Sequence, residues 1–117
     1  MFVVTMTFVY VAAARAADDP VKVAAANYKV ILENDEVRVL EFHGKAGDKI
    51  PMHFHPDHTA YVLHPGKLKF TSEGKDSEID MKEGQALFVK AGEHSVEVLS
   101  GEPRIIIVEM KEEMMKH

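Results

Sequence analysis

Nine short apolar runs, about ten residues apart and each closed by turn-forming residues, leave this chain few ways to fold. They are YKVIL (28–32), VRVLEFH (37–43), KIPMHFH (49–55), HTAYVL (58–63), KLKFT (67–71), SEIDM (77–81), QALFV (85–89), HSVEVL (94–99) and RIIIVEM (104–110). The segments between them are rich in Gly, Pro, Asn and Asp, and His64-Pro65-Gly66 and Ser100-Gly101-Glu102-Pro103 read as turns like the rest. β-Branched and aromatic residues dominate the runs, which suits a pleated, half-buried surface. No window of helical length carries a 3.6-residue apolar period. The expected class is all-β: a sandwich, jelly roll or barrel.

The chain ends read differently. The opening MFVVTMTFVYVAAARA is apolar and uncharged up to Arg15, and Ala14-Arg15-Ala16 has the small–x–small form of a leader cleavage site. Residues 1–16 are therefore expected to be a signal peptide, with an uncleaved apolar anchor or an N-terminal strand as the alternatives. The run is short of the roughly 20 apolar residues of a membrane span, so no membrane association is expected after cleavage, and the product would be periplasmic or secreted. Residues 17–27 (ADDPVKVAAAN) are expected to form an extended arm because proline interrupts them. Residues 28–117 would form the barrel domain, with KEEMMKH at its end fraying or adding a last helical turn.

The chain has no cysteine, which excludes disulfides, thiolate ligands and a cysteine nucleophile. Its formal charge of −5, with no basic cluster, argues against a nucleic-acid partner. Histidine is where the chemistry gathers: residues 49–66 hold four, and His53, His55 and His58 fall within six positions. Residues i and i+2 of a strand share a face, so His53 and His55 project side by side. The chain is then expected to turn at Pro56-Asp57 and run back beside that strand. His94 opens a later strand. Three imidazoles suit a divalent transition metal and leave coordination positions open. Binding of this kind should weaken as pH falls below about 6.5, where free imidazole protonates. An H-x-H on a strand can equally be a solvated pair.

The spacing around these histidines resembles the cupin superfamily. Its first motif is matched by Gly47, five residues, His53-Phe54-His55, three residues, Thr59, six residues and Gly66. Its second is matched by Gly84, five residues, Lys90-Ala91-Gly92, one residue and His94. Three positions depart from the pattern: Thr59 stands for the glutamate that usually supplies a fourth ligand, Lys90 for a proline and Val98 for an asparagine. The wording around HPDHTAYVL also resembles the small exported single-domain cupins. The resemblance implies a cupin-type double-stranded β-helix, or jelly-roll barrel. It also implies one divalent metal (Fe, Mn, Zn, Ni or Cu) on His53, His55 and His94, and a small-molecule ligand or substrate. Dimers are common in that family.

His58 could take the place of the missing glutamate, although regular strand alternation puts it on the face opposite Thr59, Tyr61 and Leu63. On that alternation Thr59 and Tyr61 face the interior and are candidate catalytic residues; Tyr61 could otherwise be a core aromatic. Met52 and Phe54 alternate with the histidines and should face away from the metal. Glu109 follows RIIIV and could be a carboxylate with a raised pKa, or simply the point where the strand emerges into water, which is the expected reading. Glu97, His64 and His43 are expected at the surface. Two functions follow: a metal-dependent dioxygenase or isomerase acting on a small organic molecule, or a module that binds a metal or small ligand without turnover. A barrel that has lost its metal is the third, because of Thr59.

Overall fold

The computed structural model describes residues 18–111. The leader expected over residues 1–16 and the tail beyond Lys111 lie outside them. One helical turn, α1 (Pro20–Val23), precedes seven strands: β1 (Tyr28–Glu33), β2 (Val37–His43), β3 (Lys49–His55), β4 (His58–Ser72), β5 (Lys75–Met81), β6 (Ala86–Val89) and β7 (Gly92–Met110). Seven strands account for the nine runs because two expected turns do not break the chain. HTAYVL and KLKFT are one strand, β4, and HSVEVL and RIIIVEM are one strand, β7.

The long strands β4 and β7 run antiparallel along their whole length and bend together where Gly66 lies opposite Gly101. That corner needs glycine on both strands. A Cβ on Gly66 would lie 2.6 Å from Pro103 Cδ and 2.9 Å from the Ser100 carbonyl oxygen, and Gly101 has φ +77° with the Gly66 Cα close by. Pairing shifts register around the bend, which re-aims both strands without ending them. The bend divides the pairing into two sheets. One holds β1, β2, the second half of β7, the first half of β4, and β6; the other holds β3, the first half of β7, the second half of β4, and β5. The expected all-β jelly roll is the fold observed.

Cross-strand register lays the interior out in rows. In the first sheet Leu40, Ile107, Ala60 and Leu87 stand opposite one another, and Tyr28, Phe42, Ile105 and Val62 form the row beside them. In the second sheet the rows are Ile50, Val96 and Phe70, then Val98, Leu68 and Ile79. Most of these side chains are buried, and a fully buried Leu, Ile, Val or Phe contributes about 1.5–3 kcal/mol of transfer free energy. The third row of the first sheet is polar: Arg38, Glu109 and His58. In the second sheet, His53 stands opposite His94.

The arm expected to be extended over residues 17–27 makes a helical turn instead. Asp19 caps it by accepting the Val21 N–H at 2.9 Å, and Pro20 occupies the first turn, where a missing N–H costs nothing. Before the turn, Asp18 pairs with the free edge of β3: the Phe54 N–H donates to its carbonyl at 2.9 Å. The arm thus covers an otherwise open sheet edge.

Candidate metal centre

β3 delivers His53 and His55 to one face, as expected from their spacing, and both are buried. β7 delivers His94 from the neighbouring strand. The ligand-capable nitrogens of these three residues all lie within 4.8 Å of one another. Their ring centres are 4.9 Å (His53–His55), 4.8 Å (His53–His94) and 5.4 Å (His55–His94) apart. His58 is buried beside them, its ring centre 4.7 Å from that of His55.

Acceptors that cannot donate fix the tautomers. His53 Nδ1–H donates to the Pro51 carbonyl at 2.7 Å, and His58 Nδ1–H to the Pro56 carbonyl at 2.8 Å. His55 Nδ1–H donates to Glu109 Oε2 at 2.7 Å. With Nδ1 so engaged, Nε2 is the atom each of these rings leaves for a metal. The Tyr28 hydroxyl lies 3.4 Å from His53 Nε2.

Burial disfavours the charged form of His53, His58 and His94. Burial lowers His53 to about 4 against the Pro51 carbonyl, which favours the charged ring, and lowers His94 to about 3, with the neighbouring imidazoles adding to the shift. Burial lowers His58 too. Glu109 is pulled upward by burial, but the hydrogen bonds from His55 and Arg38 outweigh this and hold it below the usual carboxylate range. An all-imidazole donor set, with burial favouring the neutral ring at His53 and His94 and the Nδ1–H engaged at His53 and His55, fits a divalent transition metal.

His55, His58 and His94 border a cavity of about 900 Å³. Its wall is apolar, with Phe42, Leu68, Phe70, Leu87, Ile105 and Ile107 prominent, and its rim carries polar residues of the β4–β5 turn and the β6–β7 connection, among them Glu73 and Lys90. A cavity of this size accommodates a small organic molecule.

No family model and no curated protein matches the chain. Solved structures do. A cupin domain from Bordetella pertussis superposes with a TM-score of 0.66 at 22% identity, covering 72% of this chain and 91% of that one. A conserved protein with a double-stranded β-helix domain from Klebsiella pneumoniae matches with a TM-score of 0.55 at 23% identity, over 74% and 77% of the two chains. The fold is that of the cupins. An RmlC-like cupin protein from Desulfovibrio desulfuricans is similar as well, with a TM-score of 0.54 at 20% identity over 74% and 86%.

Within this cupin barrel the remaining site expectations divide. Thr59 and Tyr61 do not face the interior. They stand opposite Val108 and Ile106 on the outer face of β4, and Tyr61 is 48% exposed. The inward residues are His58, Ala60 and Val62. The expected alternation was out by one because β3 and β4 are not neighbours: the Pro56-Asp57 connection crosses between the sheets, and both strands pair with β7. Asp57 shapes that crossing, its Oδ1 accepting the Ala91 N–H at 2.7 Å.

Met52 and Phe54 alternate with the buried histidines along β3, as expected, and both also border the cavity. Glu109 does not emerge into water; it is 2% exposed, on the inward side of β7 with Ile105 and Ile107. Glu97 pairs with Lys69 at the surface, and His43 and His64 are exposed. Arg38, Asp19 and Tyr28 were not singled out in the sequence. Arg38 had a signal: it shares strand parity with Leu40 and Phe42 in VRVLEFH, so it had to enter the core with a partner.

Proposed function

We propose that this protein is a small exported cupin that binds one divalent transition metal through His53, His55 and His94 and receives a small, largely apolar organic molecule beside it. The observation that carries this reading is the convergence of three imidazoles, with the Nδ1–H of His53 and His55 held by a carbonyl and a carboxylate, beside an apolar cavity that His55 and His94 border. A bound metal would supply Lewis acidity and open positions for a small donor and, were it iron, for dioxygen. The chain's own share is to orient and desolvate. The phenylalanines and aliphatic side chains exclude water, Glu109 and the Pro51 carbonyl aim the rings, and Tyr28 holds a hydroxyl beside His53. Export rests on the apolar opening run and Ala14-Arg15-Ala16. Homodimerisation finds support in an outer row (Leu32, Val39, Val108, Thr59, Phe88) that crosses the first sheet, with Phe88 60% exposed.

Within this reading a dioxygenase or isomerase is the catalytic form. The non-catalytic form, a module that holds metal or ligand without turnover, is favoured by one observation. Glu109, the carboxylate that touches the histidines, has both oxygens engaged and is not free to move a proton. The test is to load the protein with Fe(II), Mn(II), Zn(II), Ni(II) or Cu(II) in turn and offer small aromatic and diketone compounds under oxygen. Oxygen uptake or product formation selects the enzyme; ligand-dependent spectral change without turnover selects the binding module. Neither with any metal overturns the proposal.

A further inference from the structure

The buried Glu109 does not end the chain of contacts that starts at His55. Its second oxygen, Oε1, accepts the Arg38 Nε–H at 2.9 Å. The same guanidinium turns its other two nitrogens outward, Nη1–H donating to Asp19 Oδ2 at 2.8 Å and Nη2–H to Asp19 Oδ1 at 3.1 Å. Glu109 is almost fully buried, Arg38 is mostly buried, with 15% of its side chain exposed, and Asp19 is exposed. One continuous hydrogen-bonded line thus runs from the N-terminal arm, through a planar guanidinium held at both ends, to the Nδ1 of a histidine in the metal-competent group. The arm meets the same strand a second time, where Asp18 pairs beside His53 and accepts the Phe54 N–H.

Burying an arginine and a glutamate is costly unless the geometry serves them well. Stability alone could be had from apolar residues at both positions. What the pair provides that a leucine could not is an acceptor fixed in direction against one imidazole. We propose that Asp19, Arg38 and Glu109 are positioning residues for His55, and that the N-terminal arm is thereby a working part of the metal centre. The inference rests on the metal-binding reading for its role, but not for its geometry.

Two measurements separate them. The first is Co²⁺ titration of the full chain and of Glu109→Gln, Arg38→Gln, Arg38→Lys and Asp19→Ala, with the visible spectrum recorded at saturation. The second is the ¹⁵N ring shifts of His55 in the metal-free proteins, which report the tautomer directly. The expected loss of Co²⁺ affinity is about 10–100-fold for Glu109→Gln, the range for partners of metal-bound histidines. It should be smaller for Arg38→Gln, smallest for Asp19→Ala, and partly recovered by Arg38→Lys. The His55 ring shifts should move in the same order. A purely structural role would lower the melting temperature while leaving affinity, spectrum and ring shifts unchanged, and that result overturns the proposal. If the unsubstituted protein takes up no Co²⁺, the metal reading fails separately. The metal-free ring shifts then still decide whether the line sets His55, and unmoved shifts reject it.

Discussion

Metal binding by this cluster should survive acidification that would empty an ordinary histidine site. A histidine with the ordinary pKa of about 6.5 is about 97% protonated at pH 5, so each such ligand weakens binding about 30-fold and two weaken it about 1000-fold. Burial changes that arithmetic for two of the three ligands. With His53 at about 4 and His94 at about 3, proton competition at pH 5 costs a factor of only about 1.1 between them. The loss expected of exposed imidazoles below pH 6.5 is displaced toward pH 4. The assay is isothermal titration with Zn²⁺ or Co²⁺ at pH 7, 6 and 5 in weakly coordinating buffers. The predicted Kd changes by less than about tenfold for proton competition at these two ligands. A loss of about 1000-fold between pH 7 and 5 would refute the reasoning, because His53 and His94 would then have to titrate as solvated rings.

The same shifts predict how the metal-free fold responds to acid. The unfolded chain takes up protons at these histidines below about 6.5 while the folded chain does not, so stability falls as pH drops from there toward 4. The Glu109 contribution is present above 4.5 and is lost only as pH falls further. Urea midpoints at pH 7, 6 and 5 should decline in that order, and a flat series would contradict buried neutral rings. His58→Ala should retain one metal per chain, since His58 stands outside the group of three; loss of metal would place it in the ligand set. Gly66→Ala should destabilise by about 1–3 kcal/mol through the clash with Pro103. An unchanged urea midpoint would mean that the β4–β7 corner is not tightly packed.

Much of this was legible in the sequence because strand alternation is local. His53 and His55 share a face by spacing alone, and each apolar run became strand. What escaped was set by partners far along the chain. Pro65-Gly66 and Gly101 look like turns, and only the packing of each strand against the other makes them bends within β4 and β7. The side on which β4 faces inward depends on its crossing to another sheet, which inverted the roles of His58 and of Thr59 and Tyr61. Glu109 could have been placed inside by its alternation with Ile105 and Ile107. Its partners come from 54 and 71 positions away, and no local pattern announces them. Asp19 had no signal at all, since nothing in ADDP says that an arginine waits across the barrel edge.

The central claim is tested most directly by the metal content of the protein itself. Elemental analysis by ICP-MS of untagged protein purified from its native compartment should give one divalent transition metal per chain. His53→Ala and His55→Ala should each lose the metal while keeping the circular dichroism of the fold. No metal in the unsubstituted protein and none taken up on titration, or full occupancy retained in both variants, would contradict the account.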